Sequence, residues 1–130
     1  ADLNKAYYEY STGKYIQAAK LLNKIIDAKP VSGKDVSELS MAYFMKGVIL
    51  SRLGNYEKAI ESFTQIKNEK KDIEGLSYEL AQALYAIGKL DKARIEFLNS
   101  VKEKYQIVPS LYYLAVIYKA MKDYQKAFYF

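Results

Sequence analysis

The stretch from Tyr43 to Phe63, YFMKGVILSRLGNYEKAIESF, decides the fold. It reads as two amphipathic helices joined by a tight turn at Leu53, Gly54 and Asn55. Gly47 lies in the first helix and Ala59 in the second, each flanked at helical spacing by large apolar side chains. Two helices cross closely only where side chains are small. A glycine in mid-helix costs about 1 kcal/mol against alanine, so Gly47 predicts a packing reason, a close contact with Ala59. Gly54 is placed for the left-handed residue that ends a helix, and Asn55 for the cap of the next one.

The pattern returns 34 residues later: Gly54 becomes Gly88, Ala59 becomes Ala93, Phe63 becomes Phe97 and Gly47 becomes Ala81. A further 34 residues on, Tyr56 becomes Tyr124, Ala59 becomes Ala127 and Leu50 becomes Tyr118. A fixed period of this length signals a stacked helical array. These residues resemble the tetratricopeptide repeat, whose pattern is an aromatic, Leu-Gly and Tyr in the first helix, then Ala, an aromatic and Pro in and after the second. The second unit carries it as Tyr43, Lys46-Gly47, Leu50, Ala59 and Phe63. The third has Ser77, Leu80-Ala81, Leu84, Ala93 and Phe97. The fourth has Leu111, Leu114-Ala115, Tyr118 and Ala127, and the first has Ala6, Gly13, Tyr15, Ala18, Leu22 and Pro30. Lys46, Glu9 and Ser77 depart from it at usually apolar places. The resemblance implies an all-α solenoid of antiparallel helix hairpins in a right-handed superhelix, with about 3.5 repeat units. The expected units are 1–30, 38–71, 72–105 and a truncated 106–130, in a single array over 1–130, with 31–37 as an insertion.

Composition agrees with a helical array. Apolar residues make up 51% of the 130, enough for a continuous core, and only 2 Pro and 6 Gly argue against a sandwich or barrel. The net charge of +5 is spread along all the helices as a solvated lysine surface, so nucleic-acid binding is not the expected role. No apolar run approaches the roughly 20 residues that span a bilayer, and no signal peptide is visible. The chain opens at Ala1 rather than Met, so a processed or excised chain is expected: a mature secreted bacterial protein or a piece trimmed from a longer one would begin this way. Cytoplasm and periplasm both stay open.

Local signals fill in the rest. Gly13 ends the first helix, and Lys14 to Ala28 forms the second, with Tyr15, Ala18, Leu22 and Ile25 on one stripe. Pro30 closes it. The Gly13 to Gly54 distance is 41 rather than 34, which places the insertion there, most simply as a spacer. Asp35 followed by Glu38 resembles a capping box, so the next helix is expected to start near Asp35 and to be the longest. Pro109 fits the first turn of a helix running to about Met121, and Asp123 then caps a short final helix. That helix stops at Phe128, Tyr129 and Phe130, an apolar end expected of a fragment of a longer array or of an end that docks onto a second copy or another protein; either predicts self-association through the C-terminal end.

Catalytic chemistry has little to work with. There is no His and no Cys, which removes the commonest general base and the usual zinc ligand sets. No phosphate-binding glycine loop or calcium loop is present, so no cofactor, metal or small-molecule substrate is expected. Glu57 and Glu61 fall on an outer helix face as solvated surface.

The resemblance also implies where a partner binds: the inner face of the first helix of each hairpin lines a concave groove. In that frame the candidates are Asn4, Tyr7 and Tyr10, then Phe44, Val48, Ser51 and Arg52. They continue with Tyr78, Glu79, Gln82 and Tyr85, then Tyr112, Tyr113, Val116 and Lys119. Tyrosine is abundant, 14 in all, and offers large contact area, a hydroxyl and few rotamers to freeze. This lining suits an extended peptide or an amphipathic helix of a partner protein. One subgroup of the family grips a C-terminal carboxylate with Lys, Arg and Asn; here Met45, Gly75 and Glu79 hold matching positions, so that clamp is absent. The expectation is a non-catalytic scaffold for protein partners. The alternative is an architectural element of a larger envelope or secretion assembly, with nucleic-acid binding behind both.

Overall fold

The structure is a computed structural model, and it describes residues 2–28, 33–69 and 72–121. Among the described residues there are seven helices and no strand. They are α1 (Asp2–Ser11), α2 (Tyr15–Asp27), α3 (Gly33–Arg52), α4 (Tyr56–Asn68), α5 (Leu76–Ala86), α6 (Leu90–Lys102) and α7 (Ile107–Ala120). The chain divides into two compact units, Ala1–Ile73 and Glu74–Phe130.

In the first unit α1 packs on α2, α2 on α3 and α3 on α4, with a smaller contact between α1 and α3. One cluster of buried side chains joins the first three helices: Ala6 from α1, Ala18 and Leu22 from α2, and Ala42, Met45 and Ile49 from α3. Tyr10, Tyr15 and Ile25 pack at its margin. The α2 stripe read from the sequence is therefore the buried stripe. Between α3 and α4, Ala59, Phe63 and Ile66 are fully buried or nearly so. Burying a Leu, Ile or Phe side chain of this kind stabilises by about 1.5–3 kcal/mol.

The nearest neighbour of Gly47 is Phe63 rather than Ala59. A β-carbon on Gly47 would lie 2.5 Å from the Phe63 ring, and its three nearest atoms all belong to that ring. Phe63 is one turn along from Ala59 on the same face of α4, and its ring fills the space that the missing Cβ leaves. The small residue admits a large one.

The turn after α3 follows its expected form. Gly54 has φ +83; its N–H donates to Ser51 O at 3.0 Å, and the Asn55 N–H donates to Leu50 O at 2.8 Å. This pair of bonds satisfies carbonyls that the helix end would otherwise leave open. The same pair recurs after α1 at Gly13 and after α5 at Gly88. It recurs a fourth time after α6 with no glycine: Lys104 has φ 60 and its N–H donates to Val101 O, while Tyr105 N–H donates to Ser100 O.

Two local expectations need correction. Asn55 stands at the N-cap of α4, yet its side chain makes no capping hydrogen bond. The helix α3 begins at Gly33, so Asp35 lies inside it and not at a capping position. Residues 33–37, most of the insertion, are thus spent on lengthening α3 to 20 residues, the longest of the seven helices. The final helix expected from Tyr124, with its Asp123 cap and the Phe128 to Phe130 end, lies outside the described residues.

In the second unit α5 packs on α6 and α6 on α7. Leu80, Ala81 and Leu84 of α5, Ala93 and Phe97 of α6, and Leu114, Ile117 and Tyr118 of α7 are buried. Ser77, at a place where the repeat pattern has an aromatic, is buried and donates to the Glu103 carboxylate at 3.3 Å. Gly75 is the N-cap residue of α5 with φ +89, and a β-carbon there would lie 3.0 Å from the Tyr105 ring.

Candidate partner-binding surface

The candidate residues fall into two groups, one in each unit. In the first unit, Asn4 is exposed and Tyr7 is 64% exposed on α1. Tyr10, one turn on from Tyr7, is half-buried and tilts against Tyr15 with ring centroids 5.6 Å apart. On α3, Phe44 is half-buried against Phe63 at 5.9 Å, and Arg52 is exposed. Val48 is only 7% exposed and Ser51 9%, so both present little surface. Here the accessible candidates are Asn4, Tyr7 and Arg52, with Tyr10 and Phe44 half-buried.

The second unit brings its candidates together. The Gln82 amide nitrogen donates to the Tyr78 hydroxyl at 3.2 Å and to the Tyr113 hydroxyl at 3.4 Å, tying α5 to α7. Tyr113 stacks on Phe97 with centroids 4.6 Å apart and planes 8° from parallel. Tyr85 meets Tyr113 edge-on at 5.0 Å, and Tyr112 meets it edge-on at 6.2 Å. Tyr78 in turn contacts Phe97 at 6.1 Å and Tyr105 at 5.9 Å. Offset and edge-on ring pairs at such distances add about 0.5–1.5 kcal/mol beyond burial. Buried Phe97 thus anchors half-buried Tyr78, Gln82, Tyr85 and Tyr113, with Tyr112 standing out at 69% exposure. Val116 is half-buried and Lys119 exposed on the same helix α7.

Tyr113 is the hub of this group, and Tyr105 is a member that the repeat frame did not offer. Tyr105 follows α6 in the connection to α7, where the 34-residue pattern assigns no role. The only signal for it was Gly75, which leaves room for its ring.

The surface can supply flat aromatic area, hydroxyl groups and a carboxamide whose direction is fixed by two hydrogen bonds. Groups held this way bind without first paying for ordering. Glu57 and Glu61 are exposed, as read. Among the described residues no cluster of His, Cys, Asp or Glu could hold a metal ion, and no helix is long and apolar enough to cross a membrane.

Helix hairpins closed by one turn geometry, with a small residue and a buried aromatic recurring at matched places 34 residues apart, define a helical-repeat protein. Two family models match the chain, both of the tetratricopeptide repeat, one at residues 42–72 and the other at residues 110–130. These two matches support a tetratricopeptide repeat protein. No curated protein matches it. Tetratricopeptide repeats generally mediate protein–protein interactions as non-catalytic scaffolds, and proteins built from them bind protein partners.

Proposed function

We propose that this chain is a non-catalytic scaffold that holds a peptide or a helix of a partner protein in a tyrosine-rich groove. The supporting observation is the group around Tyr113. Gln82, Tyr78, Tyr85 and Tyr113 are pre-ordered by hydrogen bonds and ring contacts, yet each keeps exposed surface. Tyr112 adds a nearly free ring beside them. Rigid aromatic anchors next to a fixed amide suit an extended segment: rings take its side chains, and hydroxyl and amide groups take its backbone. Val116 and Lys119 extend the face along α7, and Tyr7, Tyr10, Phe44 and Arg52 provide a second, less polar face in the first unit.

A peptide display library panned against the intact chain, followed by affinity measurement of the selected peptides, tests this. Changing Tyr85 and Tyr112 to Ala is expected to weaken binding at least about tenfold, as loss of two contact aromatics does. Circular dichroism should stay native. Tyr112→Ser alone should keep the fold and still weaken binding, because that ring is mostly in solvent. Selected peptides that bind both variants like the parent chain would remove the groove from the account.

A further inference from the structure

Lys46 stands where the repeat pattern has a large apolar residue, and nothing in the proposed groove uses it. It is half-buried, and it forms no ion pair with another described residue. It lines a cleft of about 320 Å³ between α2, α3 and α4, all within the first unit. Ile49 and Leu50 of α3 and Leu53 of the following turn give it apolar lining; Asn23 of α2 and Lys58 of α4 also line the cleft. One carboxylate, that of Glu61, belongs to the same lining, and it is exposed.

A lysine whose stem lies over apolar side chains carries its charge at the edge of the cleft, where an opposite charge is favoured. Lys46 and Lys58 against Glu61 leave the cleft one positive charge in excess. A phosphate would satisfy the charge and leave the apolar lining of Ile49 and Leu50 uncovered. A carboxylate on an aliphatic stem satisfies both.

We propose that the cleft between α2, α3 and α4 binds a carboxylate carried on a short aliphatic stem, with Lys46 as the counter-charge. An acidic side chain of a partner segment and a free short-chain acid both offer this chemistry. The site is independent of the tyrosine groove, so failure of one leaves the other standing.

The test is amide chemical-shift titration of the full chain with three probes: sodium hexanoate, hexanol, and an acetylated, amidated peptide with one Glu between leucines. Saturable shifts at Asn23, Leu50 and Lys58 are expected with hexanoate, the peptide or both. Hexanoate alone assigns a free acid, and the peptide alone assigns a partner's side chain. Lys46→Met should weaken the effective probe more than about tenfold, as loss of one member of a partly buried charge pair does. Lys46→Arg should retain binding, and Glu61→Gln should tighten it by removing the competing carboxylate. Absence of saturable shifts with both acids overturns the proposal. So does a Lys46→Met variant that binds like the parent, or hexanol binding as tightly as hexanoate.

Discussion

The hairpins α3–α4 and α5–α6 are built on one register, yet their aromatic anchors live in different surroundings. Phe63 and Phe97 occupy matched places and both are fully buried. Phe63 presses against backbone at Gly47 and meets one ring, Phe44. Phe97 sits in the unit where Ala81 replaces Gly47, and it meets two rings, Tyr78 and Tyr113. The exchanges around them follow one direction. Phe44 becomes Tyr78, Val48 becomes Gln82 and Ser51 becomes Tyr85. At these places the first hairpin presents Phe44, Val48 and Ser51. The second presents a row of hydroxyl and amide groups joined by hydrogen bonds. One backbone plan thus supports two differently furnished faces, and a few side chains set the difference.

The comparison can be broken most forcefully at the anchors. Phe63→Ala and Phe97→Ala should each cost about 3–5 kcal/mol in urea unfolding of the whole chain. The second should cost more, since it also strands the Tyr113 ring. A larger loss at Phe63 would show that the Tyr113 stack adds nothing.

Next comes the closeness of the helices. Gly47→Ala should gain about 1 kcal/mol of helix propensity and lose more to the Phe63 ring, for a net drop in melting temperature. At the matched place, Ala81→Gly should cost about 1 kcal/mol through propensity. A Gly47→Ala chain that melts higher than its parent would mean that the ring has room to retreat.

The smallest expected effect is at Asn55. Its side chain caps nothing, so Asn55→Ala should change stability by no more than about 0.5 kcal/mol in the same thermal scan, against roughly 1 kcal/mol for a working cap. A full-sized loss would restore the cap.

Much of this architecture was legible in the residues themselves. The 34-residue return of Gly54, Ala59 and Phe63 gave the hairpins and their buried stripes, because burial and turn geometry each leave a periodic mark. Where the sequence misled, the reason is physical. Small residues announce a close contact but not its partner, so Gly47 pointed to Ala59 when the ring of Phe63 was there. Asp35 with Glu38 spells a capping box, but the same letters fit within a helix that has already begun at Gly33. The left-handed Lys104 carries no glycine to betray it. At the surface, the pattern nominated whole faces. It could not foresee that Val48 would be covered or that Tyr113 would link three other aromatic side chains, since both depend on side chains from another helix.

The meeting of Gly75 with Tyr105 has a consequence for how the sequence can drift. A β-carbon at position 75 would intrude on the ring, and φ +89 would strain it besides. Any mutational route to a larger residue at 75 therefore has to shrink position 105 and reshape the start of α5 in the same lineage. The two sites should be inherited as a pair, although they are 30 positions apart along the chain.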